Sequence, residues 1–206
     1  MQGIKRIIFD LDNTLITWKK EYLCGIKQAV EEFNINCPYE KIDALDATYE
    51  ANYDFYSIEN FQDHIKKSLD LDVPKEFISK WLENIGKTNG ENPEVNKVLE
   101  YLSSKYELVV LTNWFQDCQA KRLETARMRE FFLEVIGGDK YIKPNPKSYL
   151  SACGPHKPEE CLMIGDNLKL DVQGALNTGL KAIYLSEKPE PGITTIKSIQ
   201  ELMEIL

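Results

Sequence analysis

The chain has 206 residues, of which 43% are hydrophobic, and a formal net charge of −8 at pH 7. This length allows a sizeable core in one or two domains, and the negative charge disfavours nucleic acid as a partner. No apolar run reaches the roughly 18 residues of a membrane helix, and the start of the chain lacks a signal-peptide pattern. The five cysteines never form a CxxC pair, which is typical of reduced thiols. We therefore expect a cytoplasmic globular protein without a membrane partner; the sequence carries no signal for its oligomeric state.

The first predicted strand lies in residues 4–16, with the sequence IKRIIFDLDNTLI. Its apolar, β-branched run stops where Asp10 and Asp12 follow. Carboxylates do not contribute to the packing of a core strand, whereas the carboxyl ends of parallel strands are where α/β proteins bind ligands. We expect the two aspartates to lie near one another at this edge; the alternative is a solvated turn after the strand.

The next segment has helical periodicity. Helices are predicted over residues 19–33, 39–56, 58–69 and 74–85, and the turn formers KTNGENP follow at residues 87–93. Because this helical segment lies between two strand-type segments, we predict a small helical domain, residues 17–90, inserted into a larger domain made of residues 1–16 and 91–206.

Helices and strands alternate in the remainder of the chain. Strands are predicted over residues 107–111, 134–136, 161–164 and 180–185, and helices over 94–105, 117–126, 146–152, 171–177 and 198–205. Such alternation is typical of a parallel, doubly wound sheet that helices cover on both faces. The predicted fold class is therefore α/β.

Polar residues follow four of the predicted strands: Asp10 and Asp12, then Thr112 and Asn113, then Lys143, then Asp166 and Asp171. Two carboxylates about 4 Å apart repel by about 4 kcal/mol at an effective dielectric near 20, so a cluster of them needs cations. Mg²⁺ prefers oxygen ligands, which fits Asp10 and Asp166, and Lys143 would add positive charge near an incoming anion. Plainer interpretations are a surface position for Lys143 and helix capping by Asp166 and Asp171.

Four segments resemble, in order, the motifs of the haloacid dehalogenase (HAD) superfamily. They are DLDNTL at residues 10–15, the strand that ends in Thr112 and Asn113, Lys143 within IKPNP, and GDNLKLD at residues 165–171. The helical insertion is similar to the C1-type cap of subfamily I. The resemblance implies a three-layer, Rossmann-like core with a parallel sheet, a mobile helical cap, Mg²⁺ as the cofactor, and chemistry through an aspartyl-phosphate intermediate.

The resemblance also implies roles for the acidic residues. Asp10 would be the nucleophile, which divides one hard displacement into two easier ones. Asp12 would protonate the leaving oxygen and then activate water, and its main-chain carbonyl would bind the metal together with Asp10 and Asp166. Asp171 and Asn167 would be supporting residues, Asp171 by orienting Lys143 or a metal-bound water.

The substrate contacts follow from the same resemblance. Thr112 would hold the phosphoryl oxygens with its hydroxyl, helped by backbone N–H groups near Asn113. Lys143 would neutralise both nucleophile and phosphate. Trp114 stands where relatives often have glycine, and a contact with the leaving group is one interpretation of it.

Other conspicuous residues have structural interpretations. His64 is expected on the surface of an amphipathic helix, and Cys118 is expected to be a buried small hydrophobe. Four aromatic residues at near-helical spacing are expected in the core rather than in a ligand cage: Tyr49, Tyr53, Phe55 and Tyr56.

The predicted function is that of a Mg²⁺-dependent phosphatase acting on a small phosphorylated metabolite, either a sugar phosphate or a nucleoside monophosphate. Asp12 favours a phosphatase over a dehalogenase, because relatives that cleave carbon–halogen bonds lack this second aspartate. A phosphomutase is an alternative, since it shares every core residue. A catalytically inactive binding protein on the same scaffold is another, although its usual signature, loss of Asp10 or of the motif lysine, is not found.

Overall fold

The computed structural model describes residues 3–87 and 90–206. In this part of the chain six parallel strands form one sheet in the order β3-β2-β1-β4-β5-β6. The strands are β1 (Arg6–Phe9), β2 (Glu107–Leu111), β3 (Glu134–Ile136), β4 (Cys161–Gly165), β5 (Lys181–Leu185) and β6 (Thr194–Ile196). The predicted α/β fold with a parallel sheet is confirmed. Strand β6 was not predicted, because its three residues, TTI, carry too little periodicity.

Helices pack around this sheet and fill the insertion after β1. They are α1 (Lys19–Glu32), α2 (Tyr39–Asp43), α3 (Asp46–Tyr49), α4 (Ile58–Leu69), α5 (Lys75–Gly86), α6 (Pro93–Ser103), α7 (Gln116–Thr125), α8 (Pro146–Cys153), α9 (Gly174–Asn177) and α10 (Leu202–Ile205). None of the helices in the described residues combines the length and the hydropathy needed to cross a bilayer.

Strand β1 lies at the centre of the sheet, between β2 and β4. All four of its residues are buried, because a parallel sheet is covered on both faces. Its last residue, Phe9, pairs with Val110 of β2 and Ile164 of β4. The three strands run in the same direction, so the polar residues that follow them lie side by side at one edge of the sheet. This is the point where the strand order reverses, which is the usual ligand site of such folds.

Alternate residues of the strands enter two hydrophobic clusters, one on each face of the sheet. Ile7 and Phe9 belong to the cluster that includes Val98 and Leu99 of α6. Ile8 belongs to the cluster on the other face, with Tyr149 of α8. The period-2 alternation of side chains along β1 therefore supplies both faces of the core.

A third hydrophobic cluster lies in the helical insertion. It contains large side chains from α1, α4 and α5, such as Ile26, Phe61 and Trp81. It also includes Trp114 and Phe115, which follow β2 in the chain. The division of the chain into domains at residues 16/17 and 90/91 stays a prediction.

The single helix predicted over residues 39–56 is wrong. The chain forms the short helices α2 and α3 and then turns back, so that the Tyr49 and Tyr56 rings stack with centroids 4.5 Å apart. In a continuous helix, residues seven positions apart are separated by about 10 Å along the axis. The Tyr56 N–H donates instead to the Gly138 carbonyl at 2.8 Å, and this tertiary contact replaces the helical hydrogen bond.

The expected surface position of His64 is also wrong. Its side chain is only 4% exposed, its Nε2 lies 3.0 Å from the Thr48 hydroxyl, and its ring meets the edge of Tyr49. Of the four aromatics expected in the core, Tyr49 and Tyr56 are buried, whereas Phe55 is 42% exposed. Cys118 is buried as expected.

Candidate active site

A cleft of about 300 Å³ opens at the carboxyl ends of β1, β2 and β4. The nine residues singled out from the sequence all line it: Asp10, Asp12, Thr112, Asn113, Trp114, Lys143, Asp166, Asn167 and Asp171. The helical insertion contributes the opposite wall, with Trp18, Tyr22, Asp46, Glu50 and Tyr56. The fold therefore brings together residues that lie up to 161 positions apart (171 − 10) in the chain.

Lys143 is buried in the cleft, with 2% of its surface exposed, so the interpretation as a surface lysine is wrong. Its Nζ donates hydrogen bonds to Asp10 Oδ1 at 2.7 Å and to Asp171 Oδ1 at 2.6 Å. Burial alone would lower the pKa of the Lys143 ammonium, but the charges of Asp10 and Asp171 outweigh it and raise this pKa above its usual value. Lys143 is therefore a fixed positive charge beside Asp10.

Three carboxyl groups converge next to this lysine. Oxygens of Asp10, Asp166 and Asp171 all lie within 4.8 Å of one another. Burial raises the pKa of Asp166 to about 6, and the nearby Asp10 carboxylate adds to the effect. Burial also raises the pKa of Asp171 to about 7, against the opposing effect of Lys143. The cluster holds more negative charge than one ammonium neutralises, and its hard oxygen donors fit a divalent cation such as Mg²⁺.

Asp171 is held in place by its local backbone. Its Oδ2 accepts a hydrogen bond from the Asn167 N–H at 2.9 Å, while the Asn167 side chain accepts from the next backbone N–H groups of a π-helical turn, Leu168–Gln173. The helix predicted over residues 171–177 thus begins earlier and is π-helical first. A Cβ atom at Gly165 would lie 2.3 Å from the Asp171 carboxyl carbon, so this close approach requires glycine.

The Asp12 carboxylate does not join the acidic cluster. Arg122 Nη1 donates to its Oδ1 at 2.5 Å, and Gln119 Nε2 donates to its Oδ2 at 2.8 Å. Burial raises the pKa of Asp12, whereas the Arg122 guanidinium acts in the opposite direction. The Asp12 carboxylate oxygens are thus engaged by α7, and metal binding by its main-chain carbonyl stays a prediction.

Sequence reasoning did not identify Gln119 and Arg122. Both side chains are fully buried although they are polar. A signal was present: Phe115, Cys118 and Arg122 follow the i, i+3, i+7 spacing of one helix face, and an arginine on an otherwise apolar face needs a buried partner.

Asn113 links the loop after β2 to the lysine segment and to the insertion. Its Oδ1 accepts from the Lys143 N–H at 2.8 Å, and its Nδ2 donates to Glu50 Oε1 at 2.7 Å. The neighbouring Thr112 hydroxyl is buried, donates to the Asn113 carbonyl and accepts from Gln119 Nε2 at 3.0 Å. Asn113 therefore fixes the position of Lys143, and Thr112 presents its hydroxyl at the end of β2.

Trp114 lies between the two sides of the cleft. Its φ is +94°, a backbone conformation that residues other than glycine rarely adopt. Its ring is 3% exposed and contacts Tyr22, Tyr56, Phe61 and Trp81 of the insertion, with ring centroids 5.1–5.6 Å apart. The main contacts of Trp114 are therefore with the insertion, and contact with a leaving group stays a prediction.

Comparisons with known proteins place the chain in a family. A sequence model of the family described as haloacid dehalogenase-like hydrolase matches residues 7–185. A glyceraldehyde 3-phosphate phosphatase from Pyrococcus furiosus is 26% identical over 231 aligned positions, covering 100% of this chain and 94% of the relative. The pyrimidine 5'-nucleotidase YjjG from Escherichia coli is 32% identical over 126 positions, covering 55% of this chain and 56% of the relative. The names of these relatives support the predicted enzyme class, a phosphoric monoester hydrolase.

Solved structures show the same fold. The HAD-hydrolase YfnB from Bacillus subtilis, solved bound to magnesium, aligns with a TM-score of 0.78 at 18% identity, over 100% of this chain and 99% of that one. A 2-haloacid dehalogenase from Pseudomonas syringae aligns with a TM-score of 0.77 at 19% identity, over 98% and 97% of the two chains. The helical insertion is consistent with the expected C1-type cap, called the cap below. The four motifs, the parallel sheet and the family match agree, and the chain belongs to the haloacid dehalogenase-like hydrolase family.

Proposed function

We propose that this protein is a Mg²⁺-dependent phosphatase that releases phosphate from a small phosphorylated metabolite through an aspartyl-phosphate on Asp10. The observation that carries the proposal is the buried contact of Lys143 Nζ with Asp10 Oδ1 at 2.7 Å, beside the carboxyl of Asp166. A lysine in this position adds positive charge beside Asp10, where a phosphate dianion would enter. The phosphatase names of the relatives support the same reaction.

In the first step an Asp10 carboxylate oxygen attacks phosphorus, and the bond from phosphorus to the leaving oxygen breaks. Asp12 transfers its proton to that oxygen, so an alcohol leaves and Asp12 becomes a carboxylate. Lys143 and the Thr112 hydroxyl hold the phosphoryl oxygens during the transfer. Bound Mg²⁺, held by Asp10 and Asp166, would neutralise charge on the nucleophile and the phosphoryl group.

In the second step water replaces Asp10 on phosphorus. Asp12 takes a proton from the attacking water, the bond between phosphorus and Asp10 breaks, and inorganic phosphate leaves. Both residues return to their starting protonation states. Lys143 enters the reaction as an ammonium, because the Asp10 and Asp171 carboxyl groups raise its pKa.

The residues on the cap side of the cleft favour a substrate whose leaving group is neutral and rich in hydroxyl groups. Asp46 and Glu50 place carboxyl groups there, and Trp18 and Tyr22 add aromatic faces. Carboxyl groups accept hydrogen bonds from sugar hydroxyls and repel a second anionic group on the substrate. We therefore propose a sugar phosphate or a nucleoside monophosphate as the substrate class.

Phosphate release from a panel of sugar phosphates and nucleotides tests the proposal. With Mg²⁺ we expect release by the wild type, and a loss of about 10³-fold or more with EDTA or in Asp10→Asn, which retains the shape of the side chain but not the nucleophile. Asp72→Asn, which changes an exposed cap aspartate, is the matched control and should retain full activity. Release that continues unchanged in Asp10→Asn would exclude this nucleophile, and isomerisation of a sugar phosphate without release would identify a mutase.

A further inference from the structure

Both oxygens of the Asp12 carboxylate are held by two residues of one helix. Arg122 Nη1 lies 2.5 Å from Oδ1, and Gln119 Nε2 lies 2.8 Å from Oδ2. The two donors are also bonded to each other, since Arg122 Nη1 donates to Gln119 Oε1 at 2.8 Å. We call Gln119 and Arg122 the α7 clamp. A carboxylate held at both oxygens cannot turn freely about its side-chain torsions.

The clamp is itself fixed by its surroundings. Arg122 is completely buried, and its second terminal nitrogen, Nη2, donates to the Thr17 carbonyl at 2.8 Å, where the chain leaves the core for the cap. Its guanidinium carbon lies 5.0 Å from the centre of the Tyr22 ring, also in the cap. Gln119 Nε2 reaches the Thr112 hydroxyl at 3.0 Å. The clamp therefore connects Asp12 both to the phosphoryl-binding threonine and to the base of the cap.

A buried arginine is expensive to desolvate, and burial of such a pair is weak evidence for a purely stabilising role. Another buried arginine in the chain gives a comparison. Arg6 donates to the Glu107 carboxylate from Nε at 2.9 Å and to the Ala152 carbonyl, and neither residue of the Arg6–Glu107 pair lines the cleft. The α7 clamp differs because its partner is the residue that would transfer the proton.

We infer that Arg122, together with Gln119, is a positioning residue that aims the Asp12 carboxyl at the leaving oxygen, a role that rests on the proposed phosphatase function. As the bond from phosphorus to the leaving oxygen breaks, the proton moves from Asp12 to that oxygen and leaves a carboxylate. The guanidinium keeps its own protons and its hydrogen bond to Oδ1, so the carboxylate stays in place for the attack of water. Arg122 touches neither substrate nor metal in this role.

The leaving group provides the test. Phenyl phosphate has a basic leaving oxygen that needs a proton, whereas 4-nitrophenyl phosphate releases a stable phenolate that does not. The ratio kcat/KM reports the steps up to release of the phenol, whichever later step limits kcat. For Arg122→Met we expect kcat/KM to fall about 10–100-fold with phenyl phosphate and less than about 3-fold with 4-nitrophenyl phosphate. Arg122→Lys should recover part of the loss, since it restores one charged donor without the second arm.

Three controls separate positioning from folding. Arg6→Met also removes a buried arginine and should change both substrates equally, if at all. In an Asp12→Asn background, Arg122→Met should cause no further loss with phenyl phosphate, because the two residues act as one unit. Gln119→Leu releases the other carboxylate oxygen and also the Thr112 hydroxyl, so it should lower kcat/KM for both esters but lower it more for phenyl phosphate. This additional loss with phenyl phosphate decides the question if Arg122→Met does not fold.

Two results are decisive against the inference. Equal losses with both esters in Arg122→Met, or in Gln119→Leu if the arginine variant is unfolded, would overturn the positioning role and leave the phosphatase proposal intact. A folded wild type that, with Mg²⁺ present, releases phosphate neither from these esters nor from the panel of sugar phosphates and nucleotides would overturn the phosphatase proposal, and the positioning role with it.

Discussion

Asp46 is a cap residue whose carboxyl group is hard to ionise in the folded protein. Burial is the main cause of its raised pKa, about 7, and the carboxylates of Glu50, Asp43 and Asp12 add to it. Burial and these acidic neighbours both disfavour a further negative charge, so ionising Asp46 in the folded protein is unfavourable. In the unfolded chain the same group ionises near its ordinary value. The folded protein therefore retains a proton on Asp46 between about pH 4 and pH 7, where the unfolded chain has released it.

This difference predicts the pH dependence of stability. When the unfolded state binds fewer protons than the folded state, the free energy of unfolding falls as pH rises, here from about pH 4 to pH 7. Asp46→Asn removes the effect, so the variant should match the wild type at pH 4 and be more stable by about 1–2 kcal/mol at pH 8, a value reduced from the full shift because Asp46 is partly exposed. Urea unfolding at the two pH values measures this. A stabilisation of Asp46→Asn that is equal at both pH values would contradict the assignment.

The sequence was sufficient to find Lys143, Asp10 and Asp166, but not Arg122. Asp10 and Asp166 directly follow strands β1 and β4, and the position of a strand end is a local property of the chain. Lys143 lies seven residues after the end of β3 and was found through its place in the IKPNP motif. Arg122 sits in the middle of a helix whose composition is mostly polar, and its burial depends on the cap lying over that helix. The only sequence feature that indicates the burial of Arg122 is its position as a polar residue on an apolar helix face.

The same distinction holds for the secondary structure. Strands β2 and β3 have the predicted bounds. For β2 the reason is that a buried strand of a parallel sheet is a nearly continuous apolar run. The helix predicted over residues 39–56 fails because Tyr49 and Tyr56, which helical spacing places on one face, form a ring stack only after the chain reverses. The spacing of the aromatic residues therefore predicted the burial of these two side chains correctly, but it predicted a continuous helix where the chain forms two short helices and a turn.

Helices α1 and α5 pack closely in the cap, and Gly25 is the reason they can. A Cβ atom at this position would lie 2.8 Å from Ile85 Cγ1 and 3.1 Å from the Ile85 backbone nitrogen. In an isolated helix, alanine would be about 1 kcal/mol better than glycine. Between these two helices the extra methyl group has to push backbone atoms apart, so the packing penalty should exceed the gain in helix propensity.

We expect Gly25→Ala to destabilise the protein by about 1–2 kcal/mol, the balance of an overpacking penalty of about 1–3 kcal/mol against the helix propensity of alanine. Thermal or urea unfolding measures the change. Ile85→Val in the same background should recover little, because the backbone nitrogen remains in the way. Gly90→Ala is the matched control, since a Cβ there meets nothing within 4 Å. A stabilised Gly25→Ala variant would show that α1 and α5 separate easily.

Cap and core share one hydrophobic cluster across the cleft. Trp114 and Phe115 follow a core strand, yet their rings pack among cap aromatics such as Phe61. Arg122 makes a polar connection at the same boundary through the Thr17 carbonyl. A movement of the cap away from the core would expose the Trp114 ring and disturb the hydrogen bonds that hold Asp12. The position of the cap and the orientation of Asp12 are therefore linked by contacts at one boundary.

Binding of Mg²⁺ at the acidic cluster should stabilise the whole molecule. Asp10 follows β1, Asp166 follows β4, and Asp171 lies in the π-helical turn, so the three carboxyl groups come together only when the sheet is formed. An ion that binds the folded state alone stabilises it by about 2.7 kcal/mol at 100 times its Kd. For a chain of this size that corresponds to an increase in Tm of about 5–10 °C. Thermal unfolding with increasing Mg²⁺, in the absence of substrate, measures it.

Asp166→Asn distinguishes site binding from a general effect of salt. The amide removes one charge from the cluster, which relieves repulsion with Asp10, so the variant without metal should be at least as stable as the wild type. The same amide is a poor ligand for Mg²⁺, so the increase in Tm should be largely lost. Asp72→Asn, on the cap surface, should retain the full increase. If Asp166→Asn gained as much from Mg²⁺ as the wild type, the ion would be acting on the protein surface and the proposed metal site would be wrong.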